Sequence, residues 1–469
     1  MNLTNFSGFF NKEEMGHFWD KSWLALVAGI SGCFWGCVCV DTDPTPLFHE
    51  VQGEVWERGE ALVYWDRQTG DDPFATCIAE LLQEKICLEQ AVWIALVQNP
   101  RLQALYESLG LAKAQLAQAG LLPNPFVAFS YRFSTKHAPD LIDIGLFQNF
   151  LDVVLIPKKK RVASFEIEAT KAEVVRGVLK VIAETKKAFF SLQATEEILS
   201  LQYEKVLAAE CMVEAAAKLY RAGNLRELEV SEFQLFLDQE KLVLLDLEIQ
   251  KEEERERLQV LMGLCGHEDL WEIDAYLRPI SDGGEDLGRA ECTALEKNLK
   301  LDQIRNEVGA LAARYGIERT AIIFPQVELG VSGEREEGVW FVGPALALSI
   351  PIFDFGQAIG AAARADLQRL WNLYSATSLE VASTARKLTR HLQLLRAQVA
   401  SIEERAIPHA KEVTAQTLLQ HNAMQLGVFH LLEAKRRELE ERSHLVEKKR
   451  MYWMSHADFE ELMRGGGGG

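Results

Sequence analysis

Apolar residues recur at helical spacing from Leu88 to Leu96, and the run stops at Asn99. A 3-4-3-4 ladder follows, Leu102, Leu105, Leu109, Ala112 and Leu116, and ends before Pro123 and Pro125. The same ladder returns later as Leu301, Ile304, Val308, Leu311 and Tyr315. Asn99 and Asn298 stand where each ladder helix needs an N-cap, and Pro100 takes the first helical position. A repeat of roughly 200 residues is too long for a solenoid unit and predicts a duplicated, domain-sized module.

After each ladder the period falls to two. Val127, Phe129, Tyr131 and Phe133 alternate with Ala128, Ser130 and Arg132; Ile142, Ile144 and Leu146 alternate with Asp143 and Gly145. The second half shows Val327, Leu329 and Val331 against Gln326, Glu328, Gly330 and Ser332, then the run Trp340 to Ile350. This predicts strands over 126–134, 141–150, 326–334 and 339–350. Their length suits membrane β-strands, although such alternation also describes a half-buried soluble strand. Pro157 and Pro351 read as joints between strand and helix.

Long helical patterns come next, from Val162 to Ala222 and back from Leu228 to Leu264, then from Ala358 to Leu419 and back to Leu462. The turns fall at 223–227 and 421–428. Some 60 helical residues span roughly 90 Å, so these helices must pack side by side as coiled coil or helical barrel. Pro408 predicts a kink or break. The fold class is mainly α with a small β part.

Charge and chemistry narrow the function. The 469 residues carry a formal net charge of −19, which argues against nucleic acid, whose binding neutralises phosphates with Lys and Arg. Beyond the N-terminus no run approaches the 18 apolar residues of a spanning helix. The eight cysteines form no CxxC pair, no histidines sit at zinc spacing, and there is no P-loop. His391, His409, His421, His430, His444 and His456 accompany no nucleophile motif. No metal site, no cofactor and no enzyme are expected.

Lys21 precedes the short apolar run Trp23 to Ile30, which reads as a signal peptide over 1–32, with Met15 an alternative start. Ile30-Ser-Gly-Cys33 resembles a bacterial lipoprotein box, making Cys33 the expected lipidation site; Phe34-Trp35-Gly36 fits that box less well before Cys37. Phe34 rather than Asp after Cys33 resembles lipoproteins sorted to the outer membrane. The alternative is an uncleaved leader with incidental cysteines. Residues 33–84 read as an extended tether, and glycines 465–469 as a flexible tail.

Five segments, in order over about residues 85 to 464, resemble the TolC family of outer-membrane efflux channels. They are Asn99-Pro-Arg-Leu102, Gly120-Leu-Leu-Pro-Asn-Pro125, Leu219-Tyr-Arg-Ala-Gly-Asn224, Gly343 to Gly356, and Asn422 to Glu433. The resemblance implies two repeats, 85–280 and 281–464. It implies a homotrimer whose four strands per subunit close one 12-stranded barrel, continued by helices as a periplasmic α-helical barrel. Physics points the same way: four strands cannot close, and open edges in lipid cost several kcal/mol per unpaired group. Trp340, Phe129 and Tyr131 would suit the lipid face or interfacial belt.

By the same resemblance, the tunnel narrows at the hairpin tips, where acidic residues form rings. The matching positions are His430 and Glu433, with Glu229 and Glu232 in the first half. Threefold carboxylates would favour cations, and a histidine, whose ordinary pKa of about 6.5 lies in the physiological range, would make the ring pH-responsive. Tyr220, Gly223, Asn224, Leu426 and Gly427 mark the tips, where the family meets a periplasmic adaptor; Gly and Asn would turn the chain through positive φ. The implied role is a passive duct in the outer membrane, driven by an inner-membrane transporter of the RND or a similar class. The cargo would be small toxic compounds or metal ions; Asn422 to Phe429 looks closer to metal-export branches. The competing reading is a lipid-anchored periplasmic coiled coil without a pore.

Overall fold

The computed structural model describes residues 40–66, 74–133, 140–264, 271–274, 276–280, 289–323, 327–348, 352–353 and 355–467. Cys33, the 1–32 leader and Pro351 lie outside them. The elements below all belong to one unit, 43–469.

Among the described residues the first elements are helix α1 (Thr45–Gly59) and α2 (Ala75–Leu81), then strand β1 (Lys85–Ile86), α3 (Leu88–Gln98) and α4 (Pro100–Ala119). A hairpin of β2 (Phe126–Arg132) and β3 (Leu141–Asn149) follows, and then α5 (Phe150–Arg221), α6 (Glu227–Met262) and β4 (Glu272–Ile273). Next come α7 (Ala290–Lys297), α8 (Leu299–Ile323), the hairpin β5 (Val327–Glu336) and β6 (Val339–Leu348), and α9 (Gln357–Ser401). A π-helical turn, Ile402–Ala406, leads into α10 (Ile407–Asn422), and α11 (Val428–Met463) returns.

Helix α5 is the spine. Its 72 residues run roughly 110 Å, and α1, α3, α4, α6, α8 and α11 all pack on it. A buried cluster around its middle joins Phe189 and Phe190 to Trp271, Tyr452 and Trp453. The indole of Trp453 lies beside Phe190, 5.5 Å between rings, and donates to the Arg278 carbonyl at 3.0 Å.

The asparagine caps explain the helix starts. Asn99 Oδ1 accepts from the N–H of Arg101 and Leu102, while its Nδ2 donates to the Leu261 carbonyl at 2.8 Å. Asn298 Oδ1 accepts from Leu301, and its Nδ2 donates to the Gly467 carbonyl at 3.2 Å. Each side chain therefore caps one helix and ties down the end of a returning one.

Four expectations change. Residues 45–65 are not an extended tether. Phe48, Val51 and Val55 recur at helical spacing and bury against α4 and α5, with Val63 and Trp65 behind them. Trp65 donates to Glu107 at 3.0 Å. Pro157 is not the strand-to-helix joint: Asn149 caps α5 eight positions earlier, accepting from Leu151 at 3.0 Å, so the proline lies inside the helix. The kink or break expected at Pro408 takes the form of a π-turn just before it, where the Ile407 N–H donates to the Ile402 carbonyl. One extra residue there absorbs the mismatch that a proline ring creates in an α-helix.

The fourth change concerns the glycines. Gly465–Gly467 are packed rather than a flexible tail. The Leu299 N–H donates to the Gly465 carbonyl at 3.0 Å, and Arg58 Nη1 holds the Lys297 and Arg464 carbonyls at 2.9 and 3.0 Å. Gly465 has φ 101°, and a Cβ there would collide with the Lys297 carbonyl. Gly263, φ 70°, stands against the Gln98 carbonyl in the same manner at the end of α6. A chain that closes this tightly requires glycine.

Candidate functional site

The four long strands form one antiparallel sheet in the order β2-β3-β5-β6. Its register sorts side chains by chemistry. Ile144 lies opposite Phe129 and Gly333, and Leu146 opposite Val127 and Val331. Val331 meets Pro344, and Leu329 meets Leu346. Successive residues point to opposite faces, so this face is almost wholly apolar, yet it stands open: Val127, Phe129, Val331, Val342 and Leu346 are all exposed. The other face is mixed: it carries Ser130, Arg132, Asp143, Ser332, Glu334 and several Gly and Ala residues together with Phe126, Phe147 and Phe341. On it Arg132 pairs with Asp143, and the Phe147 ring covers Gly145 and Gly330, where a Cβ would collide with it.

The tight turn of β5 and β6 is Glu337-Gly338, with φ 51° and 84°, the two-residue geometry that follows strand twist. The sheet has two unpaired edges among the described residues, β2 and β6.

At the far end, α5 stops at Arg221 and α10 at Asn422 with the same closing bonds. The N–H of Gly223 and Asn224 donate to the carbonyls of Tyr220 and Leu219; those of Met424 and Gln425 donate to His421 and Gln420. Gly223 takes the left-handed conformation at φ 74°, and in the second tip Met424 does so at φ 60°. Asn224 and Gly427 do not have positive φ, contrary to the expectation from residue type; Gly427 is instead the extended N-cap of α11, at φ −72°. Met424 is 94% exposed. Tyr220 is exposed, and the Leu426 carbonyl approaches His421 Nδ1 at 3.0 Å.

The two tips meet through Phe233 of α6 and Phe429 of α11, stacked 4.3 Å apart. The expected gate positions therefore lie on the first turns of two neighbouring helices. Glu229 is engaged in capping α6: it accepts from the Arg226 backbone N–H at 3.0 Å, which holds its carboxyl below the usual range. Glu232 and His430 are exposed. Glu433 is not a free carboxylate. Arg436 grips both of its oxygens at 2.8 Å and Arg437 adds a bond at 3.1 Å. Arg436 first, then Arg437, hold the Glu433 carboxyl below its ordinary value. Arg436 also pairs with Glu440, and its guanidinium stands 5.8 Å from the Phe236 ring. Beside these groups lies an apolar cleft lined by Met212, Phe233, Val413, Phe429 and His430. The spacing Glu433, Arg436, Arg437 is i, i+3, i+4, the pairing geometry of a helix face. That signal was available in the sequence and gives a charge-balanced rather than an acidic helix face.

The chain aligns in structure with the Campylobacter jejuni CmeC outer membrane channel at TM-score 0.68, over 87% of this chain and 91% of that one, with 16% identity. The open-state MtrE outer membrane channel of Neisseria gonorrhoeae gives 0.65, over 81% and 89%, with 18% identity. The outer membrane protein VceC of Vibrio cholerae gives 0.60, over 80% and 99%, with 19% identity. This chain has the fold of an outer-membrane channel. It is the fold implied by the resemblance to the TolC family. The outer-membrane-channel fold accounts for the open apolar sheet face and for helices too long for one small core. No protein-family model matches the sequence, and no curated protein matches it.

Proposed function

We propose that the chain is the outer-membrane subunit of an efflux duct. Three copies join β6 of one to β2 of the next and close a 12-stranded barrel. The four strands alternate in direction, so this joint is antiparallel like those within the sheet. The apolar face meets lipid, the Arg132–Asp143 face lines the lumen, and the long helices continue the duct through the periplasm. The ten-residue strands β5 and β6, tilted as in known barrels, cover roughly 25 Å, the height of an apolar membrane band. Cys33 carries the lipid anchor. The tips at Tyr220, Gly223, Asn224, Leu426 and Gly427 meet a periplasmic adaptor, and an inner-membrane transporter supplies the energy.

The observation that carries this reading is the sorting of the sheet into one almost wholly apolar face and one mixed face that holds most of its charged and small residues, both exposed in the single chain. A periplasmic coiled coil without a pore has no use for such a sheet. For the cargo, Arg436 and Arg437 offset Glu433 at the narrow end, which favours small organic compounds over metal cations.

Neighbouring residues of β5 test the faces. Val331→Arg puts a charge in the lipid band and should cost about 2–4 kcal/mol, removing the protein from the outer-membrane fraction. Ser332→Arg, one residue on and on the other face, should assemble normally. Equal tolerance of both would overturn the assignment.

A further inference from the structure

We infer that the start of α5 forms a basic collar that binds anionic phospholipid headgroups of the periplasmic leaflet; this rests on the membrane reading above. The stripe Phe150, Val154, Lys158, Arg161 lies at i, i+4, i+8 and i+11, on one side of a helix. It continues directly from β3, the strand that carries Ile144 and Leu146 on the lipid face. Phe150 and Val154 are 50% and 56% exposed, and Ile352 and Phe353, just past β6, are 63% and 96% exposed. The surface thus passes from apolar to basic within about three helical turns, the order of hydrocarbon and headgroup in a leaflet.

Among the described residues, Lys158, Lys160 and Arg161 have no acid partner. Lys158 Nζ donates to two neutral oxygens, the Thr320 hydroxyl at 2.7 Å and the Gly316 carbonyl at 3.3 Å. Arg161 is exposed and lies 6.0 Å from the Phe165 ring. Lys160 is exposed beside Gly120. The nearby carboxylates are occupied: Asp152 binds Lys159 at 2.7 Å and Glu166 binds Arg314. Glu318 and Arg319, neighbours on the last turns of α8, carry opposite charges. In a chain of net charge −19, a group of unbalanced cations at the foot of an apolar sheet fits an anionic surface. Each such contact with anionic lipid changes affinity about fivefold.

The full-length protein, reconstituted in bilayers, can be examined by electron paramagnetic resonance with spin-labelled phosphatidylglycerol and spin-labelled phosphatidylcholine. The expected result is a motionally restricted lipid shell enriched at least about fivefold in the anionic lipid. Lys158→Ala and Arg161→Ala should each lower that enrichment about fivefold or to unity, and Lys158→Arg with Arg161→Lys should keep it. Lys218→Ala, near the opposite end of α5, should change nothing. A restricted shell without anionic preference, or a preference that survives both alanine substitutions, overturns the collar and leaves the membrane reading intact. No restricted lipid at all overturns both.

Discussion

Glu433 owes its state to two arginines on its own helix. With the carboxylate removed, Arg436 would keep Glu440 and Arg437 would be left unpaired. Glu433→Ala should therefore shift the channel toward anions, read as a change in reversal potential under a salt gradient; an unchanged potential would take Glu433 out of the narrow region. The pH dependence has a definite sign. The Glu433 carboxyl is lowered in the folded chain, so its pairing stabilises the tip above the ordinary Glu value, about 4.3. That contribution disappears as pH falls through the lowered folded value. The hydrogen-exchange protection factor at the α11 start, which divides out the intrinsic pH dependence of amide exchange, should accordingly stay flat from neutral pH to about 5 and fall only in stronger acid. Asn99 is the other single side chain with a large role. Asn99→Ala removes a cap and leaves the buried Leu261 carbonyl without its donor, costing about 2–3 kcal/mol in denaturant unfolding. A loss below about 0.5 kcal/mol would show that water replaces the amide.

Between elements, the joints decide the architecture. Gly465 and Gly263 each back onto the carbonyl just before a capping asparagine, so the ends of α11 and α6 lock onto the starts of α8 and α4. Gly465→Ala should destabilise the protein by about 1–3 kcal/mol, through left-handed strain and the Cβ collision with Lys297. A melting temperature equal to the unsubstituted protein's would show that the glycines are dispensable. These joints also mark the limit of what the sequence discloses. Helix and strand patterns, the asparagine caps and the tip turns could be read from periodicity and residue type, because they depend on neighbours along the chain. The packing of α1 could not, since Phe48, Val51 and Val55 are too few to outweigh the prolines and acids around them. The glycine end depends on a contact with residues far away in sequence. Met424 also escaped notice, because only the parallel closing bonds of the two tips reveal its left-handed backbone. The candidate gate was half legible: Glu433 came from family resemblance, whereas Arg436 and Arg437 needed only helix spacing.

For the whole molecule, the proposed trimer answers the chemistry of the sheet: its apolar face and the two edges that stand open among the described residues would be covered by lipid and by neighbouring copies together. In that assembly the long helices would continue the wall, and their tips, joined by Phe233 and Phe429, would form the narrow end. The most direct test is the conductance of the detergent-extracted protein in a planar lipid bilayer, with its oligomeric mass measured on the same sample. The account predicts a trimer that gives discrete conductance steps, either directly or once Glu433 and His430 are replaced by alanine. A species that stays monomeric, or a trimer that remains electrically silent with both residues replaced, would contradict it.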